Sequence, residues 1–239
     1  MRLAGARSIR CTLKRGRVRG LASSPSALPE RARVVVVGGG IIGTSTAYHL
    51  AKRGVDVVLL ERDQLTSGTT WHAAGLMVTF GSLSETSTEL RKYTKALYSS
   101  LEVETGQSTG FKPCGFIELA TDPDRLEEYR RISAFNRRCG VDVQEITPQE
   151  VQRRFPLCKV DDVLAGFMVE TDGRVNPVDA TMALAKGARM AGAQIFEGVA
   201  VTGVETTAPA GGGTRTVTGV TTEKHGTINA DYVVNCCGT

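Results

Sequence analysis

The hydrophobic positions near the start of the chain form two short runs with a helical segment between them. Residues 34–37 are four valines, and residues 55–60 form a second apolar run that ends at Glu61. Short β-branched runs bounded by turn signals are typical of buried strands, and the glycine-rich turn after Val37 opens the helical segment. The pattern predicts a β-α-β unit with two parallel strands.

Further along the chain the pattern becomes helical. Between residues 90 and 105 apolar side chains recur at three- and four-residue steps, and we expect these to be core contacts: Leu90, Tyr93, Leu97 and Leu101. Three more helices are predicted by a polar capping residue with proline at the first helical position, namely Asp122-Pro123, Thr147-Pro148 and Asn176-Pro177. We expect the first of these to close at Gly140 and the last at Gly192.

Strand patterns occupy much of the remaining chain. Residues 116–120 predict a strand of an antiparallel sheet, and residues 194–204 predict a strand after the last helix. Residues 216–222 and 226–228 predict a small β-meander whose hairpin tip is the glycine run at 211–213. Helices and strands therefore alternate along most of the chain, which indicates an α/β protein.

The turn between the first strand and the first helix has the spacing Gly38-x-Gly40-x-x-Gly43. Gly38 allows a tight turn off the strand, Gly40 allows the backbone to approach a pyrophosphate, and Gly43 lets the helix lie close to the sheet. The helix N-terminus would offer N–H groups and a positive dipole end to phosphates. Glu61 can accept hydrogen bonds from ribose hydroxyls, which favours an unphosphorylated ribose. Together these features predict dinucleotide binding.

A small, hydroxyl-rich loop, residues 66–75, follows the acid and has Trp71-His72 at its centre. From its position it should run back along the cofactor, past the pyrophosphate and towards the reactive ring. The neutral imidazole of His72 is a good nucleophile near neutral pH. The spacing alone fits equally well a polar loop residue stacked against Trp71, so the residue types leave both interpretations open.

At these motifs the chain resembles the glycine-oxidase-like flavoproteins and, within them, the dimethylglycine and sarcosine dehydrogenases. The resemblance covers essentially all of residues 33–238. The stretches that carry it are residues 34–61, 65–76 (LTSGTTWHAAGL), 101–111 (LEVETGQSTGF), 155–166 (FPLCKVDDVLAG) and 172–193 (DGRVNPVDATMALAKGARMAGA).

The resemblance implies FAD as the cofactor, bonded covalently to a ring nitrogen of His72 through the 8α carbon of the flavin. It implies a set of cofactor contacts: Gly38, Gly40, Ile41, Ile42, Gly43, Glu61, Arg62, Gly68, Thr69, Thr70, His72 and Val201. Val201 would present its backbone to the adenine. The resemblance implies no catalytic residue within this chain, and the sequence shows no motif of metal ligands.

The implied fold class is α/β, with an FAD-binding Rossmann-type domain of the GR2-like kind and an inserted, incomplete α+β substrate domain. We expect residues 1–30 to be a disordered mitochondrial transit peptide and residues 31–112 to be the Rossmann part. Residues 113–175 would belong to the substrate domain, and residues 176–239 would return to the FAD-binding domain with the β-meander, truncated at its end.

The net charge of +4 comes from the first 30 residues of the chain. Residues 1–30 hold six arginines and one lysine, with Glu30 as their single acid, so the other residues number 22 basic against 24 acidic. An Arg-rich, acid-poor, serine-bearing leader is typical of a mitochondrial transit peptide and predicts the mitochondrial matrix. The alternative, a basic tail for nucleic acid, lacks interleaved aromatic residues. We therefore expect no nucleic-acid partner and, without an apolar run near the roughly 20 residues that span a bilayer, no membrane.

The six cysteines include no CxxC pair, which indicates reduced thiols and no disulfide framework. Two of them are adjacent in residues 232–238 (YVVNCCG), a stretch that resembles the family strand VVNCAG with Cys237 in place of alanine. The family continues well beyond the position of Thr239. We therefore expect a truncated fragment that is inactive as a dehydrogenase by itself.

The resemblance implies oxidative N-demethylation of an N-methylated glycine, with electrons passed to an electron-transfer flavoprotein. Tetrahydrofolate would take part only through a C-terminal domain that is absent here. The residues do not separate dimethylglycine from sarcosine as substrate. Two alternatives are a non-catalytic homologue similar to the pyruvate dehydrogenase phosphatase regulatory subunit and an inert truncated product. The intact Trp71-His72 pair favours the dehydrogenase over the regulator.

Overall fold

A computed structural model describes residues 27–208 and 211–238. Most of the predicted transit peptide lies outside these described residues. The helices are α1 (Ile41–Lys52), α2 (Glu85–Thr105), α3 (Pro123–Arg138), α4 (Pro148–Arg154) and α5 (Pro177–Met190), and a short 3₁₀ helix spans Thr69–His72. The strands are β1 (Arg31–Val37), β2 (Val57–Leu60), β3 (Leu76–Met77), β4 (Phe116–Ala120), β5 (Gln144–Ile146), β6 (Ala165–Val169), β7 (Gly173–Arg174), β8 (Gln194–Phe196), β9 (Val201–Thr207), β10 (Thr216–Thr222) and β11 (Gly226–Asn235).

The main sheet has six strands in the order β8-β2-β1-β11-β10-β9. The pairs β8–β2, β2–β1 and β1–β11 are parallel, whereas β10 and β9 extend the sheet in antiparallel fashion. From β1 the chain first builds towards β2 and β8, and it later crosses to place β11 on the other side of β1. The order therefore reverses between β1 and β11, and open α/β sheets bind ligands at such a switch point, beyond the carboxyl ends of the strands.

The valines of β1 alternate between two apolar clusters on the two faces of this sheet. Val34 and Val36 join the cluster formed with α1 and α5, whereas Val35 joins the cluster that contains Phe196 and Ile228. A strand covered on both faces needs apolar side chains at successive positions, so its sequence becomes a continuous run. The predicted β-α-β unit is confirmed.

A second, three-stranded antiparallel sheet has the order β4-β6-β5, which confirms the antiparallel strand predicted at residues 116–120. Its core contains Phe80 and Phe167, whose rings are stacked with centroids 6.1 Å apart, and Ile132 of α3. The two-stranded ribbon β3–β7 is a third, separate pairing. The α/β class is confirmed, and the division of the chain into domains stays a prediction.

Helix caps occur where the sequence predicts them. Asp122 accepts a hydrogen bond from the N–H of Arg125, and Asn176 accepts from the first turn of α5. Thr147 accepts from the N–H of Glu150, but the Glu150 carboxylate binds the side chains of Arg153 and Arg154. Thr147 therefore caps α4 with its hydroxyl, as the sequence predicts. Within the described residues no helix has both the length and the hydropathy to cross a membrane.

Two predictions about the helices and strands are wrong. Leu90 and Tyr93 are 64% and 51% exposed, because α2 buries only a narrow stripe that includes Leu101.

The strand predicted at residues 194–204 is two strands, β8 and β9, at opposite edges of the main sheet. Gly198 has φ +73° and its N–H donates to the carbonyl of Asp63, which turns the chain between them.

The sequence predicts a strand at residues 226–228 and a separate strand within residues 232–238. In the structure one strand, β11, covers the first segment and the beginning of the second. Its beginning pairs in antiparallel fashion with β10, and its later residues pair in parallel with β1. The ten residues of β11 therefore connect the meander to the centre of the sheet.

Candidate functional site

The glycine turn between β1 and α1 depends on close backbone packing. A methyl group on Gly43 would overlap the carbonyl oxygen of Gly38, and one on Gly38 would overlap the carbonyl oxygen of Cys236. Gly38 also has φ +109°, a conformation that favours glycine. The turn therefore brings α1 against the ends of β1 and β11 as the fingerprint predicts.

The first turn of α1 follows directly on this glycine turn. Gly40 is the N-cap residue and offers no side-chain cap, and the turn contains no acidic residue. The N–H of Ile41 donates to Thr70 Oγ1 at 3.0 Å, while Ile42 is exposed. A helix start with a positive dipole end and no carboxylate of its own is suited to a phosphate group.

Glu61 is held at the carboxyl end of β2 by the backbone. Its Oε2 accepts the N–H of Gly39 at 2.6 Å, and its Oε1 accepts the N–H of Asp63 at 2.9 Å. Each carboxylate oxygen keeps a second lone pair, so the group can still accept hydrogen bonds from a ribose. Arg62 is exposed and its Nε lies 3.1 Å from Asp63 Oδ2.

The hydroxyl-rich loop returns to the glycine turn. The N–H of Thr66 donates to the carbonyl of Gly39, and Thr70 is buried against the start of α1. Gly68 and Thr69 are exposed at the beginning of the 3₁₀ helix. The structure therefore brings the first half of the loop next to the glycine turn.

Trp71 and His72 stand at the end of that 3₁₀ helix and are both exposed. Their ring centroids are 3.9 Å apart with an interplanar angle of 67°. The imidazole is accessible to a reaction partner, and it also contacts Trp71. This geometry is compatible with both interpretations that the sequence leaves open.

Val201 belongs to strand β9, whereas the nearby Val199 is hydrogen-bonded directly to Glu61. In β9 the backbone of Val201 is paired in register with Thr222. The N–H of Val199 instead donates to the carbonyl of Glu61 at 2.8 Å, and the N–H of Glu61 donates to Phe196. The adenine contact of Val201 stays a prediction, and sequence reasoning missed Val199 because the break in the predicted strand could not be recognised.

A cavity of about 410 Å³ opens beside the start of α1. Mainly apolar residues line this cavity. They come from α1, residues 70–77, α2 and residues 175–180: Ile41, Thr70, Ala73, Ala74, Gly75, Leu76, Met77, Thr94, Tyr98, Val175, Pro177 and Ala180. Only Ile41 and Thr70 among these were predicted as site residues. No local sequence pattern marks the others, because four stretches that are distant in the sequence form the cavity.

The chain is similar to several known proteins. The family described as FAD dependent oxidoreductase (DAO) matches residues 33–239. Human mitochondrial sarcosine dehydrogenase is 42% identical over 231 residues, which are 95% of this chain and 25% of that protein. Rat mitochondrial dimethylglycine dehydrogenase is 39% identical over 90% of this chain and 24% of that protein.

The mouse mitochondrial pyruvate dehydrogenase phosphatase regulatory subunit is also 39% identical, over 89% of this chain and 23% of that protein. The chain therefore spans about a quarter of the length of the curated relatives that it matches. Among solved structures, L-proline dehydrogenase from P. horikoshii superposes with a TM-score of 0.80 at 32% identity, covering 87% of this chain and 53% of the other.

Proposed function

Because the chain belongs to the FAD-dependent oxidoreductase family, we propose that it forms the FAD-binding part of an amine dehydrogenase that acts on an N-methylated glycine. The observation that carries this proposal is the glycine turn at the switch point of the sheet. Its backbone is so close to β11 and α1 that side chains are excluded at Gly38 and Gly43. Such a surface fits a pyrophosphate, which needs close approach to backbone N–H groups.

The residues around the turn fit the rest of the cofactor. Glu61, held by two backbone N–H groups, would accept hydrogen bonds from the adenosine ribose. Gly40, Ile41 and Ile42 would contact the phosphates, and Gly68, Thr69 and Thr70 would line the path towards the flavin. Arg62 and Val201 complete the proposed set on the adenine side. When bound, FAD would accept a hydride equivalent from the substrate.

The substrate proposal rests on the relatives named for sarcosine and dimethylglycine. Both are N-methylated glycines, so an N-methyl carbon would be oxidised and the electrons would pass to an electron-transfer flavoprotein. Tetrahydrofolate is proposed as a partner only through a separate C-terminal domain. We propose the mitochondrial matrix as the location, which the mitochondrial relatives and the basic leader support.

Cofactor choice provides the first test. We expect the purified chain to bind FAD and not NADH as its tight ligand, as measured by flavin fluorescence and equilibrium dialysis. Glu61→Ala should weaken FAD binding because it removes the ribose acceptor and frees the Gly39 N–H. Glu223→Ala, which removes an exposed carboxylate of the same type in the turn between β10 and β11 and outside the proposed site, is the matched control. Tight NADH binding without flavin would contradict the proposal.

The second test concerns the covalent link through His72. We expect acid precipitation of the FAD-loaded chain to leave yellow colour in the pellet, because the proposed bond joins the flavin to the ring nitrogen. His72→Ala should release all flavin to the supernatant while noncovalent binding persists through the glycine turn. His225→Ala, another exposed histidine, should behave as wild type. Complete release from wild type would show that the link is absent.

The regulatory subunit is the second candidate, since its identity to this chain equals that of dimethylglycine dehydrogenase. The exposed Trp71-His72 pair favours the dehydrogenase, because an accessible imidazole is what flavin attachment requires. Covalent flavin in the pellet would therefore also argue against the regulator.

A further inference from the structure

The loop that leads to the 3₁₀ helix is attached to the glycine turn at two points. The N–H of Thr66 donates to the carbonyl of Gly39 at 3.1 Å. The hydroxyl of Thr70 accepts the N–H of Ile41 at 3.0 Å. Both threonines are buried. The loop is therefore fastened to backbone groups of the same turn to which we assign the pyrophosphate.

The first attachment is made by a strained residue. Among the non-glycine residues that the structure describes, only Thr66 has a positive φ, at +73°. A β-branched side chain is rarely found in this conformation, which persists only where the surrounding contacts impose it. The path of the loop is therefore fixed by its contacts and not by its own backbone preference.

The second attachment supplies the cap that α1 lacks. The N-cap residue Gly40 has no side chain that could accept the free N–H groups of the first turn. Thr70 provides an acceptor from a position 29 residues away in the chain. The same residue belongs to the 3₁₀ helix Thr69–His72. This one hydroxyl therefore holds the helix that carries His72 against the start of α1.

The chain after His72 is held as well, at Gly75. The carbonyl of Gly75 accepts the N–H of Val175 at 2.8 Å. With φ +75°, and with a Cβ that would overlap the carbonyl oxygen of Val175, this position excludes other residues. His72 thus lies two residues after the Thr70 contact and three residues before the Gly75 contact, so its backbone has little freedom to move.

We propose that the hydroxyl of Thr70 is a positioning group for the attachment of the flavin to His72. The inference rests on the proposed function, because it concerns how fast the covalent link forms. In that reaction the 8α carbon and the imidazole nitrogen each lose a proton and become bonded to each other. The electron pair of the broken C–H bond passes into the flavin ring, which takes up the two protons and is reduced. Molecular oxygen then accepts both electrons and both protons as hydrogen peroxide and restores the oxidised flavin.

The expected effect follows from the geometry that this bond needs. A displacement of about 1 Å between reacting groups can slow a reaction by about 10²-fold. Without the Thr70 hydroxyl, the 3₁₀ helix and the start of α1 are no longer joined by a hydrogen bond. We therefore expect Thr70→Val to slow attachment at saturating FAD by at least about tenfold. The dissociation constant of FAD should change by a smaller factor, because the backbone of the glycine turn is retained.

The test follows acid-stable flavin over time after FAD is added to the flavin-free full chain in air. Two comparisons isolate the hydroxyl: wild type against Thr70→Val, and Thr70→Ser against Thr70→Ala. In each comparison the protein with the hydroxyl should attach flavin at least about tenfold faster. The second comparison remains available if Thr70→Val does not fold.

Thr105→Val is the matched control for the loss of a buried hydroxyl. Thr105 is buried at the end of α2, and its hydroxyl accepts the N–H of Gln107 at 3.1 Å, a bond of the same kind outside the proposed site. This variant should lose stability, as measured by urea denaturation, but should attach flavin at the rate of wild type.

A measurement without FAD reports on the hydrogen bond itself. Hydrogen exchange of the Ile41 amide, followed by NMR on the flavin-free chain, should be faster in Thr70→Val and Thr70→Ala than in wild type and Thr70→Ser. An unchanged exchange rate in the variants without the hydroxyl would show that the bond does not form in solution, and this would overturn the inference.

The remaining outcomes separate the inference from the proposed function. A wild-type chain that attaches no flavin would contradict the covalent link of the proposed function and this inference with it. A wild-type chain that attaches flavin no faster than Thr70→Val or Thr70→Ala would overturn this inference alone. Equal slowing in Thr105→Val would assign the effect to lost stability, and a Thr70→Ser variant as slow as Thr70→Ala would assign it to packing. Both results would overturn the inference.

Discussion

At the scale of single residues, the glycines of the turn are required for two different reasons. Gly38 needs both a positive φ and space for the carbonyl of Cys236, whereas Gly43 is helical and needs only space for the carbonyl of Gly38. A substitution at Gly43 therefore isolates the effect of close packing from that of backbone conformation.

We expect Gly43→Ala to lower the free energy of unfolding by about 1–3 kcal/mol, because the added methyl forces α1 away from β1. FAD binding should weaken together with stability, since the same movement displaces the phosphate turn. Urea denaturation and an FAD titration measure the two effects. Gly203→Ala in β9 is the control, because nothing lies within 4 Å of a Cβ at that position and Gly203 is not among the proposed cofactor contacts. Equal stability of the two variants would contradict the packing argument.

At the scale of elements, the β3–β7 ribbon is anchored by one buried carboxylate. Asp172, which precedes β7, is fully buried and accepts the N–H and the hydroxyl of Thr79 at 2.6 and 2.8 Å. Lys95 of α2 completes an ion pair with it at 3.0 Å. These contacts join α2 to the chain that leads away from His72, so the segment carrying the histidine is connected to a rigid helix.

We expect Asp172→Asn to cost about 3 kcal/mol of stability, the lower end of the range for breaking a buried pair, because Lys95 remains partly exposed. Asp161→Asn breaks the exposed Lys159–Asp161 pair and should cost less than about 1 kcal/mol. Urea denaturation of both variants under identical conditions makes the comparison. A loss for Asp172→Asn no greater than for Asp161→Asn would show that the ribbon does not depend on this carboxylate.

At the scale of the whole molecule, the charge is divided between the leader and the remaining chain. The seven basic residues of the leader have Glu30 as their only acidic neighbour, and the other 209 residues carry a slight excess of acid. This segregation of charge supports the proposal that residues 1–30 are a targeting segment.

We expect a fluorescent fusion of the full chain to enter mitochondria and a fusion lacking residues 1–30 to remain in the cytosol. The physical reason is that import depends on a cationic segment, and residues 1–30 hold seven basic residues against a single acid. A leader of the same length with its six arginines replaced by glutamine is the matched control and should also fail to direct import. Mitochondrial fluorescence from the deleted fusion would refute the assignment.

The sequence by itself determined the features that depend on neighbours along the chain. The valine run, the glycine spacing and Glu61 predict the β-α-β unit, and Asp122 and Asn176 predict the starts of α3 and α5, as the structure confirms. Each of these depends on backbone conformation or hydrogen bonds within a short segment, which residue types can specify directly.

Only the tertiary structure decided which distant segments meet. Leu90 and Tyr93 are exposed because other elements cover only a small part of the α2 surface. The turn at Gly198 depends on a hydrogen bond from its N–H to the carbonyl of Asp63. Cys237 reaches Val37 across 200 positions of the chain. Helical periodicity identifies an apolar stripe but not the partner that covers it, and a strand pattern does not specify its neighbour. The contact between Cys237 and Val37 exists because β11 lies beside β1 in the sheet.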